Sequence, residues 1–188
     1  ILLGTQMVAK GLDFENVTLV GVVAPDLSLY VDDFRAAERT FSLLTQVIGR
    51  AGRGEKQGRA VIQTYTPEHE VIRCGAVQDY DSFYETEIAL RRLRGYPPFT
   101  DIIRITASGK SEGEVLRVCS KIRRGMDHQL HSMGGHWELL GPAPGSIARI
   151  NNRYRYHLTL MGSIDHKVRQ LVSAMLCAAH SHIKVSRD

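Results

Sequence analysis

The chain has 188 residues, 43% hydrophobic and 23% charged, which places it with globular proteins and gives it enough length to bury one large core or two small ones. Its three cysteines, Cys74, Cys119 and Cys177, are odd in number and far apart. They lack CxxC or Cys/His ligand spacing, so they indicate neither a disulfide framework nor a zinc site and point to a reducing, intracellular compartment. The longest apolar stretch, around Val17–Pro25, falls well short of the roughly 20 residues that cross a bilayer, and no signal-peptide pattern opens the chain; neither membrane insertion nor export is expected. The net charge of +4 is uneven: Lys plus Arg against Asp plus Glu is 11 against 13 for residues 1–98 and 13 against 7 for residues 99–188. The second half is the better candidate for a polyanionic partner.

The opening "ILLGTQ" has buried-strand character and runs straight into a motif without an initiator Met, which suggests a piece of a longer chain. Residues 1–66 then alternate short β-branched runs with a helical pattern: "ILL", "VTLVGVVA" (17–24), an amphipathic segment from about Asp33 to Val47, and "AVIQTY" (60–65). Continuous apolar strands separated by helices predict a parallel sheet covered on both faces, with further strands upstream. Residues 67–94 read as helical, acidic early and arginine-rich late, as the helix dipole favours. "GYPPF" (95–99) stops the helix, since Gly95 can cap it and Pro97 and Pro98 cannot continue it, so a domain boundary is expected near residue 96. Beyond it come a strand ("DIIRITASG"), a helix (111–131), a strand and turn ("WELLGPAP"), an alternating strand ("YRYHLTLMG"), a helix (164–180) and a strand ("HIKVS"). That order is the βαββαβ of a split βαβ, ferredoxin-like sandwich.

Two stretches in the first half could carry chemistry. In "TQVIGRAGRG" (45–54), Arg50 and Arg53 are three apart and stand among Gly49, Gly52 and Gly54 at the end of the amphipathic segment. Paired guanidiniums at an uncrowded helix end suit bidentate binding of phosphate oxygens; a solvated basic turn is the plainer reading. Glycine costs about 1 kcal/mol per helical position relative to alanine, so three of them call for a reason. In "LLGTQMVAKGLDF" (2–14), a Gly4-Thr5 loop after a strand offers backbone N–H groups and a hydroxyl to a phosphate, with Lys10 and Asp13 following. An ordinary strand-to-helix turn is the alternative there.

Taken together, "GTQMVAKGLDF" and "TQVIGRAGRG" resemble motifs V and VI of superfamily 2 helicases. The wording is close to the bacterial primosomal replication-restart helicases, and the resemblance continues through "DFRAAERTFSLLTQ" (33–46), "IQTYTPEH" (62–69), "DYDSFYETEIALRR" (79–92), "YPPF" (96–99) and "GPAPGSIARINNRYRYHL" (141–158). It covers essentially the whole chain. Ile48 departs from the alanine more usual there, which leaves Gln46, Arg50 and Arg53 undisturbed.

The resemblance implies a division of the chain. Residues 1–78 would be the later part of a RecA-like helicase lobe two with its parallel sheet, 79–98 a helical linker ending in YPPF, and 99–188 a basic α+β, ferredoxin-like carboxy-terminal domain. Arg53 would be the arginine finger toward ATP, Arg50 a γ-phosphate contact or its support, and Gln46 the coupling residue, with Gly49 beside them. Gly4 and Thr5 would touch the DNA backbone, and Gln6, Lys10 and Asp13 would link DNA to the ATP cleft. ATP and Mg would be completed by a first lobe that is absent here, and the zinc-binding cysteines of the family do not appear in this stretch. Forked and single-stranded DNA, single-stranded-DNA-binding protein and other primosome proteins would be the partners, in a bacterial cytoplasm near the nucleoid. On its own the fragment should neither hydrolyse ATP nor unwind DNA.

Other candidates carry less. "RITASGKS" (104–111) ends in Gly109-Lys110-Ser111, yet Arg104 stands where a phosphate loop needs its first glycine. "GRAGRG" ends a helix, whereas a dinucleotide loop opens one. In "IARINNRYRYH" (147–157), Arg149, Arg153 and Arg155 interleave with Tyr154 and Tyr156, a composition suited to phosphates and unpaired bases. On a strand, however, the tyrosines take one face and Arg153 and Arg155 the other, so one set could be core or solvent. Lys121, Arg123 and Arg124, with Lys167 and Arg169, read as solvated helix faces, His128, His131 and His136 as surface histidines, and Trp137 as core. Two alternatives to the primosomal reading are another superfamily 2 DNA or RNA helicase, since GRxGR is widely shared, and a non-enzymatic nucleic-acid-binding or scaffold module on a RecA remnant. The intact Gln46, Arg50 and Arg53 speak against the latter.

Overall fold

The computed structural model describes residues 1–5, 17–51, 58–177 and 184–187. The chain forms two compact units, Ile1–Leu90 and Arg91–Asp188.

In the first unit, strand β1 (Leu19–Val23) pairs in parallel with β2 (Arg59–Gln63), Leu19 opposite Arg59 through Val23 opposite Gln63. The Ala24 N–H donates to the Gln63 carbonyl at 2.9 Å and extends the ladder. Parallel pairing agrees with the sequence reading; the two-sided cover does not. Leu19 and Val23 are 64% and 72% exposed, and among the described residues no element lies over that face. "ILL" is also not a strand: Ile1, Leu2 and Leu3 are exposed and unpaired. Apolar character alone cannot form a strand without a neighbour to take its backbone hydrogen bonds.

A short helix, α1 (Asp26–Leu29), precedes α2 (Ala36–Ile48). Helix α2 buries Ala36, Thr40, Phe41 and Leu44, the i, i+4, i+8 spacing of an amphipathic face. Asp33 serves its N-terminal turn, accepting from the Arg35 N–H at 3.0 Å and pairing with Arg39 at 2.8 Å. The stretch read as one helical run is two helices, α3 (Glu70–Val77) and α4 (Tyr80–Arg94). The break is at Gln78, which takes a left-handed φ of 58° while the Asp79 N–H returns to the Cys74 carbonyl; Asp79 then caps α4 by accepting from the Ser82 N–H. Phe41, Val71, Cys74 and Phe83 form the core of this helical layer, with the Phe41 and Phe83 rings stacked at 4.2 Å.

The second unit runs β3 (Asp101–Gly109), α5 (Glu112–Met133), β4 (Trp137–Ile150), β5 (Arg153–Gly162), α6 (His166–Cys177) and β6 (Lys184–Arg187). The sheet is antiparallel throughout, in the order β4-β5-β3-β6. Strand β4 is longer than "WELLGPAP" suggested, because it continues to Ile150 by pairing with β5. Helices α5 and α6 pack on one face: Ile105, Leu158 and Leu160 meet Ile122, Met126 and Leu130 of α5 and Val168 and Val172 of α6. Trp137 lies against this core with its indole N–H on the Ser163 carbonyl at 2.9 Å. Among the described residues no helix is long and apolar enough to cross a membrane.

Two contacts in the first unit lead to expected outcomes. Asp26, 3% exposed, accepts from the Thr64 and Thr66 hydroxyls and from the Tyr65 and Thr66 N–H groups, which ties α1 to the chain leaving β2. The Thr64 hydroxyl first, then that of Thr66, hold its carboxyl well below the usual carboxylate range against the opposing effect of burial. A depressed carboxylate stabilises the fold above its unfolded value of about 3.9, and that contribution is lost as pH falls toward the folded value. Asp26→Asn should therefore lower the midpoint of urea unfolding near neutral pH, and the gap to the unaltered chain should narrow as pH drops below 4. The second contact is at Gly75, where a Cβ would stand 2.7 Å from Leu44 Cδ1. Gly75→Ala should cost about 2–3 kcal/mol by overpacking, since the added Cβ would also stand 3.0 Å from the backbone-fixed Leu44 Cβ, against roughly 1 kcal/mol gained in helix propensity, a net loss of stability readable in the same urea titration.

Candidate functional sites

Three of the phosphate-facing candidates, Gln46, Gly49 and Arg50, lie at the end of α2. Gln46 lies exposed in its last turn, and Gly49 closes the helix with its N–H on the Thr45 carbonyl at 3.0 Å. The chain then tightens, with the Arg50 N–H on the Val47 carbonyl and the Ala51 N–H on that of Ile48. Arg50 is half-buried. Gly49 has an ordinary helical φ of −63°, so it is not there for backbone freedom. Space is the tighter limit: a Cβ would meet the Thr45 carbonyl oxygen at 3.1 Å and Gln78 Nε2 at 3.5 Å. Gln78 itself donates its side-chain N–H to the same Thr45 carbonyl at 3.1 Å. It thereby braces the end of α2 from the α3–α4 junction, 33 residues away in sequence, and no local pattern pointed to it.

Their expected partners are not placed beside them. Arg53, Gln6, Lys10 and Asp13 lie outside the described residues. Gly4 and Thr5 are exposed and follow no strand, so the strand-to-loop geometry expected of them is not formed. A cleft of about 490 Å³ beside β2 and α3 has neither Gly4 nor Thr5 in its described lining, which includes Thr64, Glu70, Cys74, Asp79 and Ser82. The Cys74 thiol there donates to Glu70 at 3.3 Å, and burial, with that carboxylate, pushes it up. Carboxylates and a protonated thiol do not suit an anion.

The basic half separates its candidates by strand geometry. Ala107 faces Tyr156 and Ile105 faces Leu158, so Tyr154 and Tyr156 lie on the helix-covered face. Tyr156 packs against Ala107, Val115 and Cys119 and donates its hydroxyl to Glu112 at 2.6 Å; it belongs to the core margin. Arg153 and Arg155 take the opposite face, which α5 and α6 leave uncovered. Arg153 donates to the Ser108 carbonyl at 2.9 Å and so anchors the end of β5 to β3. Arg149, directly opposite Tyr154, lies over its ring at 5.1 Å. Asn151 and Asn152, at φ 49° and 58°, make the turn between β4 and β5.

The remaining basic and histidine candidates resolve simply. Arg123 donates to the Gly141 carbonyl and pairs with Asp127 at 3.6 Å, so it links α5 to β4 and is more than a solvated side chain. Arg124 returns to the Ser120 carbonyl and Arg169 to that of Ile164. His128, His131 and His136 are exposed, and the described residues contain no group of three or more metal-ligating side chains. Gly109-Lys110-Ser111 passes directly from β3 into α5, whose first turn carries Glu112 and Glu114. The two-residue connection is too short to cradle a phosphate, and the glutamates of the following turn oppose one.

Comparison with known proteins covers both units. The model of the family described as "Primosomal protein N C-terminal domain" (PriA_C) matches residues 92–188. Proteins named "Replication restart protein PriA" are similar over most of the chain. That of Bacillus subtilis is 46% identical over 98% of this chain and 22% of its own length, and that of Synechocystis 46% over 84% and 19%. That of Rickettsia conorii is 33% identical over 100% and 29%. The chain thus spans less than a third of the length of these relatives. With the family match covering the whole of the antiparallel sheet and its two helices, the chain belongs to the primosomal protein N C-terminal domain family.

Proposed function

We propose that the chain is the carboxy-terminal part of an ATP-dependent 3′→5′ DNA helicase that acts in replication restart, with its basic unit gripping forked DNA. The observation that carries this reading is the 46% identity over 98% of the chain to a protein named for replication restart. In this reading residues 1–78 are the later part of a RecA-like lobe two. The parallel β1–β2 pair and the helix ending at Gln46, Gly49 and Arg50 are consistent with that. Residues 79–98 form a helical linker, and residues 99–188 a ferredoxin-like domain. The element order βαββαβ and the sheet order β4-β5-β3-β6 support the last assignment.

Arg53 and Arg50 would meet the phosphates of ATP bound chiefly by a preceding lobe. Both are always charged, and a guanidinium can hold two phosphate oxygens at once. Among its described residues the end of α2 offers one guanidinium, Arg50, with exposed backbone and no carboxylate, which suits a nucleotide phosphate better than a metal ion. Phosphoryl transfer is accelerated by such positive charge where negative charge develops. Gln78, by fixing the Thr45 carbonyl, would position this helix end. Gln46, exposed in its last turn, would couple nucleotide state to lobe closure. Gly4 and Thr5 would touch the DNA backbone, and Gln6, Lys10 and Asp13 would link DNA to the ATP cleft. Single-stranded-DNA-binding protein and other primosome proteins are the further partners in this scheme, and the location is a bacterial cytoplasm.

In the second unit, Arg149, Tyr154 and Arg155 would carry the DNA contact, with Arg153 adding charge while holding the strand end. Phosphate contacts dominate such binding and make it steeply dependent on salt. Fluorescence anisotropy of the 188-residue chain with a labelled fork and a matched duplex should show fork-selective binding that weakens as salt rises. Absence of binding at low salt would overturn the assignment of DNA contact to this unit. In the full-length helicase, Arg53→Ala should cut ATP turnover by about 10³-fold or more, the range of an arginine finger, while leaving DNA affinity little changed; unaltered turnover would refute the finger.

A further inference from the structure

The outer end of the β4–β5 hairpin holds apolar side chains in water at a place where the strand pairing is irregular. Between Pro144, which faces Tyr156, and Arg149, which faces Tyr154, β4 advances five residues while β5 advances two. Gly145, Ser146, Ile147 and Ala148 therefore bulge out opposite Arg155 alone. The base of the bulge rests on that residue, since a Cβ on Gly145 would lie 3.7 Å from Arg155 Cβ. Ile147, in the bulge, is 61% exposed, and Ile150, at the last strand position before the turn, is exposed as well. The Asn151-Asn152 turn has both residues in the left-handed region, the two-residue form whose twist matches that of the flanking strands. The apolar end is thus presented on a tightly closed hairpin.

Single exposed isoleucines are ordinary. Two within four residues, on a bulge, in basic surroundings, are a different matter, because bulges recur where a side chain must be re-aimed beside a functional site. The surrounding charge selects the occupant. From Gly141 to Gly162 the sequence has three arginines, one histidine and no aspartate or glutamate, which is complementary to a polyanion. Nucleic acid offers a polyanionic backbone and, wherever bases are unstacked, an apolar face. Isoleucine is among the side chains that enter such steps.

We propose that the β4–β5 hairpin end is a wedge that enters DNA at a branch point, with Ile147 and Ile150 against unstacked base faces and Arg149 and Arg155 on the flanking phosphates. The wedge rests on the DNA-gripping reading above and narrows it to a place and a kind of contact. Ile150 sits directly opposite Arg153, whose guanidinium is held by the Ser108 carbonyl. The strand behind the wedge is therefore fixed to the central strand of the sheet. Arg149 stacks on Tyr154, so a cation stands beside the apolar residues on a hairpin end whose own sequence contains no carboxylate.

The test is a fork with 2-aminopurine at the branch step, read for base unstacking by fluorescence and for binding by anisotropy on the same samples of the 188-residue chain at low salt. The unaltered chain should raise the fluorescence of the branch base above that of the same base within a duplex. The double variant Ile147→Ala/Ile150→Ala should bind within about threefold, as expected where phosphate contacts supply most of the affinity, and should abolish most of the fluorescence rise. Arg149→Ala/Arg155→Ala should instead weaken binding and reduce the salt slope by about 2, one for each phosphate that is no longer neutralised. An unchanged thermal midpoint would show that the isoleucine variant is folded. Binding without a fluorescence rise, or a rise that the isoleucine variant keeps, would overturn the wedge and leave DNA binding standing. No binding at all would overturn both. A dimer in sedimentation that the isoleucine variant reduces to a monomer would assign the apolar end to self-association and overturn the wedge by a separate route.

Discussion

The register of β3 against β5 is the constraint on which the basic unit depends. Nine residue pairs run from Asp101 opposite Gly162 to Gly109 opposite Tyr154. In an antiparallel pair, a slip of one residue would turn every side chain to the other face. With this register Ile105, Ala107, Leu158 and Leu160 all point into the helices α5 and α6 and are almost entirely buried. The same alternation, followed outward along β5, delivers Tyr156 to the core margin and Arg153 and Arg155 to the uncovered face. Packing thereby decides electrostatics. Burial of Leu158 and Leu160 forces the arginines, an odd number of positions away, onto the side that water or a polyanion can reach.

The hairpin end inherits its order from that central pair. Arg153 reaches the carbonyl of Ser108 on β3, and Tyr156 reaches Glu112 at the start of α5, so the last residues of the paired strand are tied back at two points. Further out the ladder is interrupted by the bulge and closed by Asn151-Asn152. The result is a stem tied back to β3 and α5 with an exposed apolar end, the division of labour that the proposed wedge requires.

In the first unit the corresponding constraint is the contact of α2 with α3. Leu44 is fully buried beneath Gly75, where only the absence of a Cβ lets the two helices approach. This contact and the Gln78 brace on Thr45 set where α2 ends, and hence where Gln46, Gly49 and Arg50 are held. Asp26 does similar work one layer away by fastening α1 to the chain that leaves β2. Of the two, the Leu44–Gly75 contact with its Gln78 brace reaches the helicase-like stretch, through the Thr45 carbonyl.

Much of this could be read from the amino-acid order, for physical reasons that are local. The 3.6-residue spacing of Ala36, Thr40, Phe41 and Leu44 announced α2, the alternation in "YRYHLTLMG" announced β5, and Gly95 with Pro97 and Pro98 marked the end of a long helix. Alternation also foretold that Tyr154 and Tyr156 would part from Arg153 and Arg155, although it could not say which pair would face the core. The errors have equally physical origins. "ILL" was apolar enough for a strand but needs a neighbour to be one, and a continuous helical pattern over 67–94 concealed the break at Gln78, whose left-handed turn is stabilised by backbone hydrogen bonds. Gln78 on Thr45, Asp26 on Thr64 and Thr66, and Tyr156 on Glu112 join residues 33 to 44 positions apart. The sequence by itself determined most of the elements, the family and the chemical character of each motif, because helix and strand periodicity, capping and charge act between near neighbours. Only the tertiary structure decided that Tyr156 is spent on the core margin, which arginines remain on an open face and where the isoleucines emerge, because those outcomes follow from strand register and helix contacts between distant parts of the chain.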